Sequence, residues 1–273
     1  MIADLHIHTI YSSYSLYKNN KEVIRQLKTQ FGKKSLYNGN VPALGKIIPD
    51  GLSSPEEVVR QAENQGLGAI AITDHDTTVG NHITQELAKS ERILVIPAVE
   101  ISTRDGHVLA YGVKENLPSH MAAKQTVDLI HKLGGVAVAA HPFAPSKYAP
   151  AFFPKKEIIR LDEKLIRGIN FDGIEIAGGL KKNQDYWIKV AEELNLAKLG
   201  GSDAHTPASI GSAVTKFPSS CKTIEDLLNA IKKRQTSVIT RKNFSLITLK
   251  TTLEYIYKST IGRFFINYNV PVS

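Results

Sequence analysis

Residues 1–8 read Met-Ile-Ala-Asp-Leu-His-Ile-His, an apolar run that passes into alternating histidines. The run at 2–5 predicts a buried β-strand, because short, β-branched apolar segments are typical of parallel strands covered on both faces. His6 and His8 are two residues apart on extended chain, so their side chains point to the same side. This stretch therefore predicts a strand that presents two imidazoles to one cation.

Similar apolar runs alternate with amphipathic stretches along most of the chain. We predict strands at 2–5, 68–72, 93–99, 108–111, 136–140, 171–176, 197–199 and 237–239, and helices at 54–66, 81–89, 119–133, 184–194 and 224–233. The first helix has the clearest start, with Ser54 as N-cap, Pro55 at the first helical position and Glu57 at the third. This alternation predicts an α/β fold built on a parallel sheet.

Six of the nine histidines lie at or just after the predicted strands: His6, His8, His75, His107, His141 and His205. Residues at the carboxyl ends of parallel strands converge on one face of a β/α fold, although they are distant in sequence. We therefore expect these six side chains to meet.

Carboxylates occupy the same kind of position: Asp4, Asp74, Glu100, Glu175 and Asp203. Imidazole and carboxylate ligands without thiolate suit zinc, manganese or iron. Glu100 follows a long apolar run and is the candidate to bridge two cations. Burying so many titratable groups without a metal would cost several kcal/mol in desolvation.

Other polar residues have simpler interpretations. We assign structural roles to His82, His120 and His131, which fall on polar or amphipathic helical stretches. Arg104 and Asp105 precede a glycine and predict a turn between two strands. The single cysteine, Cys221, excludes an internal disulfide and is expected to be inert.

Composition limits the function classes. No stretch reaches the roughly 18 apolar residues of a membrane span, and we expect a cytoplasmic protein without a membrane partner. The net charge of +8 and the pI near 9.3 favour anionic partners. No Walker loop, dinucleotide-binding glycine motif or serine-hydrolase elbow is present.

A polar segment at 15–49 is predicted to be an insertion over the site, and 241–273 is predicted to be a C-terminal extension.

The ordered motifs resemble those of the PHP family, the phosphoesterase domain of polymerases and histidinol phosphatases. The matching marks are Asp-Leu-His-Ile-His at 4–8, Thr-Asp-His-Asp at 73–76, Glu100, His107, Ala-His-Pro at 140–142 and Gly-Ser-Asp-Ala-His at 201–205. The resemblance implies a distorted (β/α)7 barrel over 1–240, with its metal site at the carboxyl ends of the strands and a PHP-associated region at 210–240. It also implies two or three divalent metal ions (manganese, zinc or iron) and hydrolysis of phosphate esters.

Carried over by position, the resemblance implies three metal sites. The first would use His6, His8, Glu100 and Asp203, the second Glu100, His107 and His141, and the third His75 with His205. Asp4, Asp74 and Glu175 would support these ligands without binding metal themselves. The catalytic residues would be Glu100, His107 and His205.

One departure concerns the third metal. Family members often carry an acid or histidine shortly after the first motif, where this chain reads Tyr-Ser-Ser-Tyr-Ser at 11–15. We predict that Asp50 replaces it, returning to the site after the insertion. Arg104, Lys181 and Lys182 are conceivable phosphate ligands.

The predicted reaction is attack of a metal-bridging hydroxide on a nucleotide, a short oligonucleotide or another small phosphorylated metabolite. The alternatives are a histidinol-phosphate phosphatase, an amidohydrolase-type C–N hydrolase and a non-catalytic module that binds metal or nucleic acid.

Overall fold

The computed structural model describes residues 1–12, 50–90, 92–142, 161–177 and 184–240. The predicted insertion at 15–49, the extension at 241–273 and the proposed phosphate ligands Lys181 and Lys182 lie outside these residues. None of the helices in the described part of the chain is long and apolar enough to cross a membrane.

The described residues alternate between strands and helices. The strands are β1 (Ile2–Ile7), β2 (Ala69–Ile72), β3 (Leu94–Ile96), β4 (Ala98–Ser102), β5 (His107–Tyr111), β6 (Val136–Ala139), β7 (Gly173–Ala177), β8 (Ala197–Gly200), β9 (Ala213–Lys216) and β10 (Ser237–Thr240). The helices are α1 (Pro55–Asn64), α2 (Val79–Leu87), α3 (Ala123–Lys132), α4 (Glu163–Gly168), α5 (Gln184–Glu193) and α6 (Ile224–Lys232), with short 3-10 turns at Ala88–Ser90 and Pro207–Ser209.

The strands form two mixed five-stranded sheets. The first has the order β10-β9-β1-β2-β3, and the second has the order β4-β5-β6-β7-β8. Pairing is parallel from β1 to β3 and from β6 to β8, whereas β9, β10 and the β4-β5-β6 run pair antiparallel. The α/β class is confirmed, but the described strands differ from the expected closed parallel barrel.

Pro97 explains part of this difference. The predicted strand at 93–99 is two strands in different sheets, because proline has no N–H to donate to a ladder and interrupts pairing. The carbonyl of Pro97 instead accepts from the N–H of Gly112 at 2.7 Å. β4 and β5 then form a hairpin, whose turn contains Arg104, Asp105 and Gly106 at a φ of 136°. The predicted turn is confirmed, and it makes this pair antiparallel.

The predicted first helix has its predicted start. The Ser54 hydroxyl accepts from the N–H of Glu57, and the Glu57 carboxylate accepts from the N–H of Ser54, so both members of a capping box are present. Pro55 lies in the first turn and Val58 is buried against the first sheet. Helix α4 and strand β9 were not predicted, since both are short.

The two sheets share one interior. Leu5 of the first sheet and Leu109, Val138 and Leu199 of the second lie in the same buried cluster. The Tyr111 hydroxyl crosses between the sheets and donates to the carbonyl of Leu5 at 3.0 Å. The inner faces of both sheets therefore pack together, while their outer faces contact the helices.

Two isolated parallel bridges join the sheets just beyond the ladders. One connects Ile7 with Ala204, and the other connects His75 with Glu100. These bridges bring the carboxyl ends of β1, β2 and β8 to Glu100 on β4. The predicted metal ligands are consequently gathered from both sheets.

Candidate metal centre

His6 and His8 form the innermost part of the site. The extended backbone of β1 points both rings to the same side, and their Nε2 atoms are 3.1 Å apart. Both residues are fully buried. The Oδ1 atom of Asp203 lies 3.4 Å from the first Nε2 and 3.3 Å from the second. These three side chains offer atoms close enough together to hold one cation.

Glu100 lies at the centre of the site, and its side chain is 1% exposed. Its Oε2 atom is 3.2 Å from Nε2 of both His6 and His8. Its Oε1 atom is 2.9 Å from Nδ1 of His107 and 3.0 Å from Nε2 of His141. Each oxygen therefore faces a different group of imidazoles, which is the arrangement expected of a bridging carboxylate.

Asp50 reaches the opposite side of the same cluster. Its Oδ1 atom is 3.3 Å from Nε2 of His205, and its Oδ2 atom is 3.8 Å from both Nε2 of His75 and Nδ1 of His8. The N–H of Leu52 donates to the carbonyl of His205 at 2.8 Å and so fixes this segment beside the site. The structure thus places Asp50 beside the histidine cluster, although 37 residues separate it from Ser12 in the chain.

Asp4 and Asp74 accept hydrogen bonds from backbone N–H and hydroxyl groups. Asp4 accepts from the N–H of Ser202 at 2.9 Å and from that of Gly211 at 2.7 Å. Asp74 accepts from the N–H and the hydroxyl of Thr9, both at 2.6 Å. The two aspartates therefore fix the loops that carry the ligands.

Glu175 contacts a ligand directly. Its Oε1 atom is 3.1 Å from Nδ1 of His6, and its Oε2 atom accepts from the N–H of His141 at 2.9 Å. The carboxylate thereby orients the His6 ring with its Nε2 atom towards Glu100.

Charged neighbours and burial together shift the pKa values of the side chains in the site. Burial disfavours the charged form of every group, but Asp203, Glu100 and Asp50 outweigh it and raise the pKa of His8 to about 10. Burial is likewise outweighed at Glu100, where His75 and other imidazoles hold the pKa well below its usual range. At His75 burial outweighs the attraction of Glu100 and lowers the pKa to about 4.

The donor set fits divalent cations. The Nδ1 atom of His75 is buried without a hydrogen-bond partner among the described residues, and such an atom costs about 1–3 kcal/mol unless something satisfies it. Four overlapping groups of ligand atoms are present: His6, His8 and Asp203; His6, Glu100 and His141; His8, Asp50 and His75; and His75, Glu100 and His107.

These groups agree in part with the sets implied by the resemblance. Three members of the first set, His6, His8 and Asp203, form one group, and Glu100 belongs to two other groups. His75 lies near His107 as well as near Asp50, so the second and third sets overlap more than the sequence suggested.

The site is open on one side. The side chains of Asp203, His205 and His107 are 35%, 34% and 24% exposed, whereas those of His6 and His8 are at most 1% exposed. A substrate would therefore approach past the first three residues.

The remaining predicted residues lie elsewhere. Arg104 is exposed in the β4–β5 turn, and no described contact joins its guanidinium to the cluster. His82 faces the carbonyl of Lys114, and His131 lies 2.9 Å from Asp172, in keeping with structural roles. Cys221 is buried and forms no disulfide.

Two site residues were missed in the sequence. Ser12 is fully buried between His8 and Asp50, and Thr9 anchors the same turn to Asp74. The only signal was the polar character of the residues directly after the first histidine motif.

Comparison with known proteins identifies part of the chain. Residues 187–236 match the family model described as PHP-associated. The chain carries a PHP-associated domain. This match overlaps the region predicted at 210–240 and confirms the resemblance to the PHP family.

Proteins with partial sequence similarity to the chain include one uncharacterized protein and two named enzymes. An uncharacterized protein of Methanocaldococcus jannaschii is 29% identical over 145 residues, which cover 53% of this chain and 70% of that protein. A phosphoribosyl 1,2-cyclic phosphate 1,2-diphosphodiesterase of Eggerthella lenta is 34% identical over 78 residues, or 26% of this chain and 30% of that one. A 5'-3' exoribonuclease of Haemophilus influenzae is 32% identical over 93 residues, or 33% of this chain and 34% of that one. The matched segments thus span about a third of the two named enzymes.

Solved structures support the PHP-like fold. A two-domain protein of Bacteroides vulgatus that contains a predicted PHP-like metal-dependent phosphoesterase superposes with a TM-score of 0.62 at 19% identity, covering 92% of this chain and 69% of that chain. At this identity the likeness concerns the fold.

Proposed function

We propose that this chain is a metal-dependent phosphoesterase that acts on nucleotides, short oligonucleotides or another small phosphorylated metabolite. The observation that carries the proposal is Glu100, a buried carboxylate whose two oxygens face separate groups of imidazoles. A phosphodiesterase and an exoribonuclease among the partial relatives support phosphate esters over other electrophiles.

The described residues would hold two or three metals. His6, His8, Asp203 and Glu100 would bind one, and Glu100 with His107 and His141 a second. Asp50 and His205, joined by His75, would bind a third. Manganese, zinc or iron suits this mixture of nitrogen and oxygen ligands. Such ions, when bound, lower the pKa of a coordinated water and neutralise charge on a phosphoryl group.

The chain's own residues would prepare the site for that chemistry. Glu175 holds the His6 ring, while Asp4 and Asp74 hold the loops behind the ligands. Full burial of His6 and His8 keeps bulk water from the inner side. His107 and His205 lie on the exposed side and would contact the entering ester. Arg104, Lys181 and Lys182 remain proposed phosphate ligands, and the net charge of +8 would attract an anionic substrate.

The test is a hydrolysis panel with manganese-loaded protein. The substrates are phosphate monoesters including histidinol phosphate, nucleotides, cyclic and linear diesters, and short 5'-phosphorylated RNA. We expect turnover that disappears with EDTA and in Glu100→Gln. The matched control is His131→Gln, which removes a histidine paired with Asp172 at 2.9 Å outside the cluster and should keep its activity.

The panel also separates the alternatives. A nuclease should show a KM that rises steeply with salt, because phosphate contacts release counterions, whereas a monoesterase should respond weakly. Bound metal without turnover of any phosphate ester would contradict the proposal. A C–N substrate would then be tested, and its failure would leave a binding module.

A further inference from the structure

Ser12 lies at a junction between three parts of the site, and its side chain is fully buried. Its hydroxyl donates to Oδ2 of Asp50 at 2.8 Å. The hydroxyl oxygen of Ser12 is also 3.0 Å from Nδ1 of His8 and accepts from the backbone N–H of His75 at 3.3 Å. One small side chain therefore contacts a ligand from β1, a carboxylate from beyond the 13–49 segment and the backbone that follows β2.

A turn at the end of β1 places this hydroxyl. The N–H of Ser12 donates to the carbonyl of Thr9 at 3.0 Å, and the N–H of Ile10 donates to the carbonyl of Ser53 at 3.0 Å. Thr9 is itself fixed by Asp74 through two hydrogen bonds of 2.6 Å. Ser12 thus follows His8 by one tight turn, and these hydrogen bonds from outside the ligand set hold the turn in place.

The donors and acceptors around the Ser12 hydroxyl determine which ring nitrogen of His8 carries the proton. A hydroxyl has one proton to donate and two lone pairs to accept with. The Asp50 carboxylate can only accept, and the N–H of His75 can only donate. The remaining lone pair must therefore receive a proton from Nδ1 of His8. This leaves Nε2 of His8 as the metal-binding atom, on the side of Glu100 and Asp203.

We propose that Ser12 is a positioning residue that fixes the Nδ1–H tautomer of His8 and couples it to Asp50, so that two groups of ligands assemble together. These groups are His6, His8 and Asp203, and His8, Asp50 and His75. The proposal rests on the proposed metal site. A hydrogen-bond partner of a metal-binding histidine fixes the ring and its tautomer, and loss of such a partner typically weakens metal binding or activity about 10- to 100-fold.

The experiment compares wild type with Ser12→Ala, Ser12→Thr and Ser53→Ala. The Ser53 hydroxyl is buried, lies in the neighbouring segment and has no hydrogen-bond partner among the described residues, so its variant is a matched loss of a buried hydroxyl. Zinc and manganese dissociation constants are measured by competition with a chromophoric chelator, and bound metal per chain by elemental analysis. Thermal unfolding of the metal-free proteins reports any general loss of stability.

We expect Ser12→Ala to weaken metal binding at least about 10-fold, with Ser12→Thr recovering most of it and Ser53→Ala resembling wild type. Nitrogen-15 spectra of zinc-loaded, histidine-labelled protein should place the proton of His8 on Nδ1. Unchanged metal affinity in Ser12→Ala, equal losses in Ser53→Ala and Ser12→Ala, or a proton on Nε2 would each overturn the proposal.

These measurements do not depend on turnover. Failure of every phosphate ester in the panel would overturn the proposed reaction but leave the metal-binding result to decide the role of Ser12.

Discussion

Two sets of carboxylates lie side by side in this molecule. Glu100, Asp203 and Asp50 face imidazoles, which hold the pKa of each carboxyl below its usual range. Asp4 and Asp74 face backbone N–H groups and hydroxyls, and burial raises the pKa of each to about 6. All five have the same carboxylate chemistry, yet their neighbours differ.

A place in or beside a strand does not by itself make a carboxylate a metal ligand. A carboxylate among imidazoles is stabilised as an anion and leaves the site ready for a cation. One whose two oxygens accept N–H and O–H bonds from the chain fixes the chain instead. Variants of the two sets should therefore fail in different ways, the first in metal binding and the second in folding.

The largest effect is expected from Glu100→Gln. The substitution keeps the shape of the side chain but removes the charge that the surrounding imidazoles face. Metals supply several kcal/mol of transition-state stabilisation, so we expect kcat/KM to fall by about 10³-fold or more. Steady-state kinetics and bound metal per chain provide the measurement. Wild-type metal content with full activity would remove Glu100 from the centre of the site.

Removing metal should destabilise the wild type but not that variant. At a free concentration about 100 times Kd, a bound ion stabilises the folded state by about 2.7 kcal/mol, and its removal should lower Tm by roughly 5–10 °C. Calorimetry with and without EDTA measures the shift, with Glu100→Gln as the control. An equal shift in both proteins would mean that the stabilising metal binds elsewhere.

The third prediction concerns Asp4→Asn. Its two oxygens accept from Ser202 and Gly211, and an amide would turn a donor towards these donors. Leaving such buried groups unsatisfied costs about 1–3 kcal/mol, so the free energy of unfolding should fall by about that amount. Urea denaturation of metal-free protein is the direct measurement.

Loss of metal in Asp4→Asn as complete as in Glu100→Gln, with unchanged stability, would contradict the division of these carboxylates into two sets. Asp74→Asn offers the parallel case, since its partners are the N–H and hydroxyl of Thr9. Agreement between these two aspartates would define the second set.

Glu175 combines the contacts of both sets, because its carboxylate contacts one imidazole and one backbone N–H. In Glu175→Gln the His6 ring loses a charged partner but keeps its place in the cluster. We expect metal affinity or kcat/KM to fall about 10- to 100-fold, with a smaller change in Tm than in Asp4→Asn. A loss of stability without a loss of affinity would move Glu175 to the structural set.

Much of the fold was predictable where the sequence signal is local. The capping box at Ser54 and the turn at Arg104 and Asp105 depend on neighbouring residues, and both are confirmed. The pairing of strands is not local. The apolar run at 93–99 gave no sign that its halves enter different sheets, and β9, a four-residue strand, was missed.

Residue types and their places in the sequence indicated the candidate metal ligands, since histidines and acids at strand ends have few other uses in such numbers. It also indicated that Asp50 returns to the site. Only the tertiary structure decided which carboxylates face imidazoles, which hold loops, and that Ser12 joins His8 to Asp50. The physical reason is that ligand chemistry belongs to the residue type, whereas hydrogen-bond partners are set by distances between segments far apart in the chain.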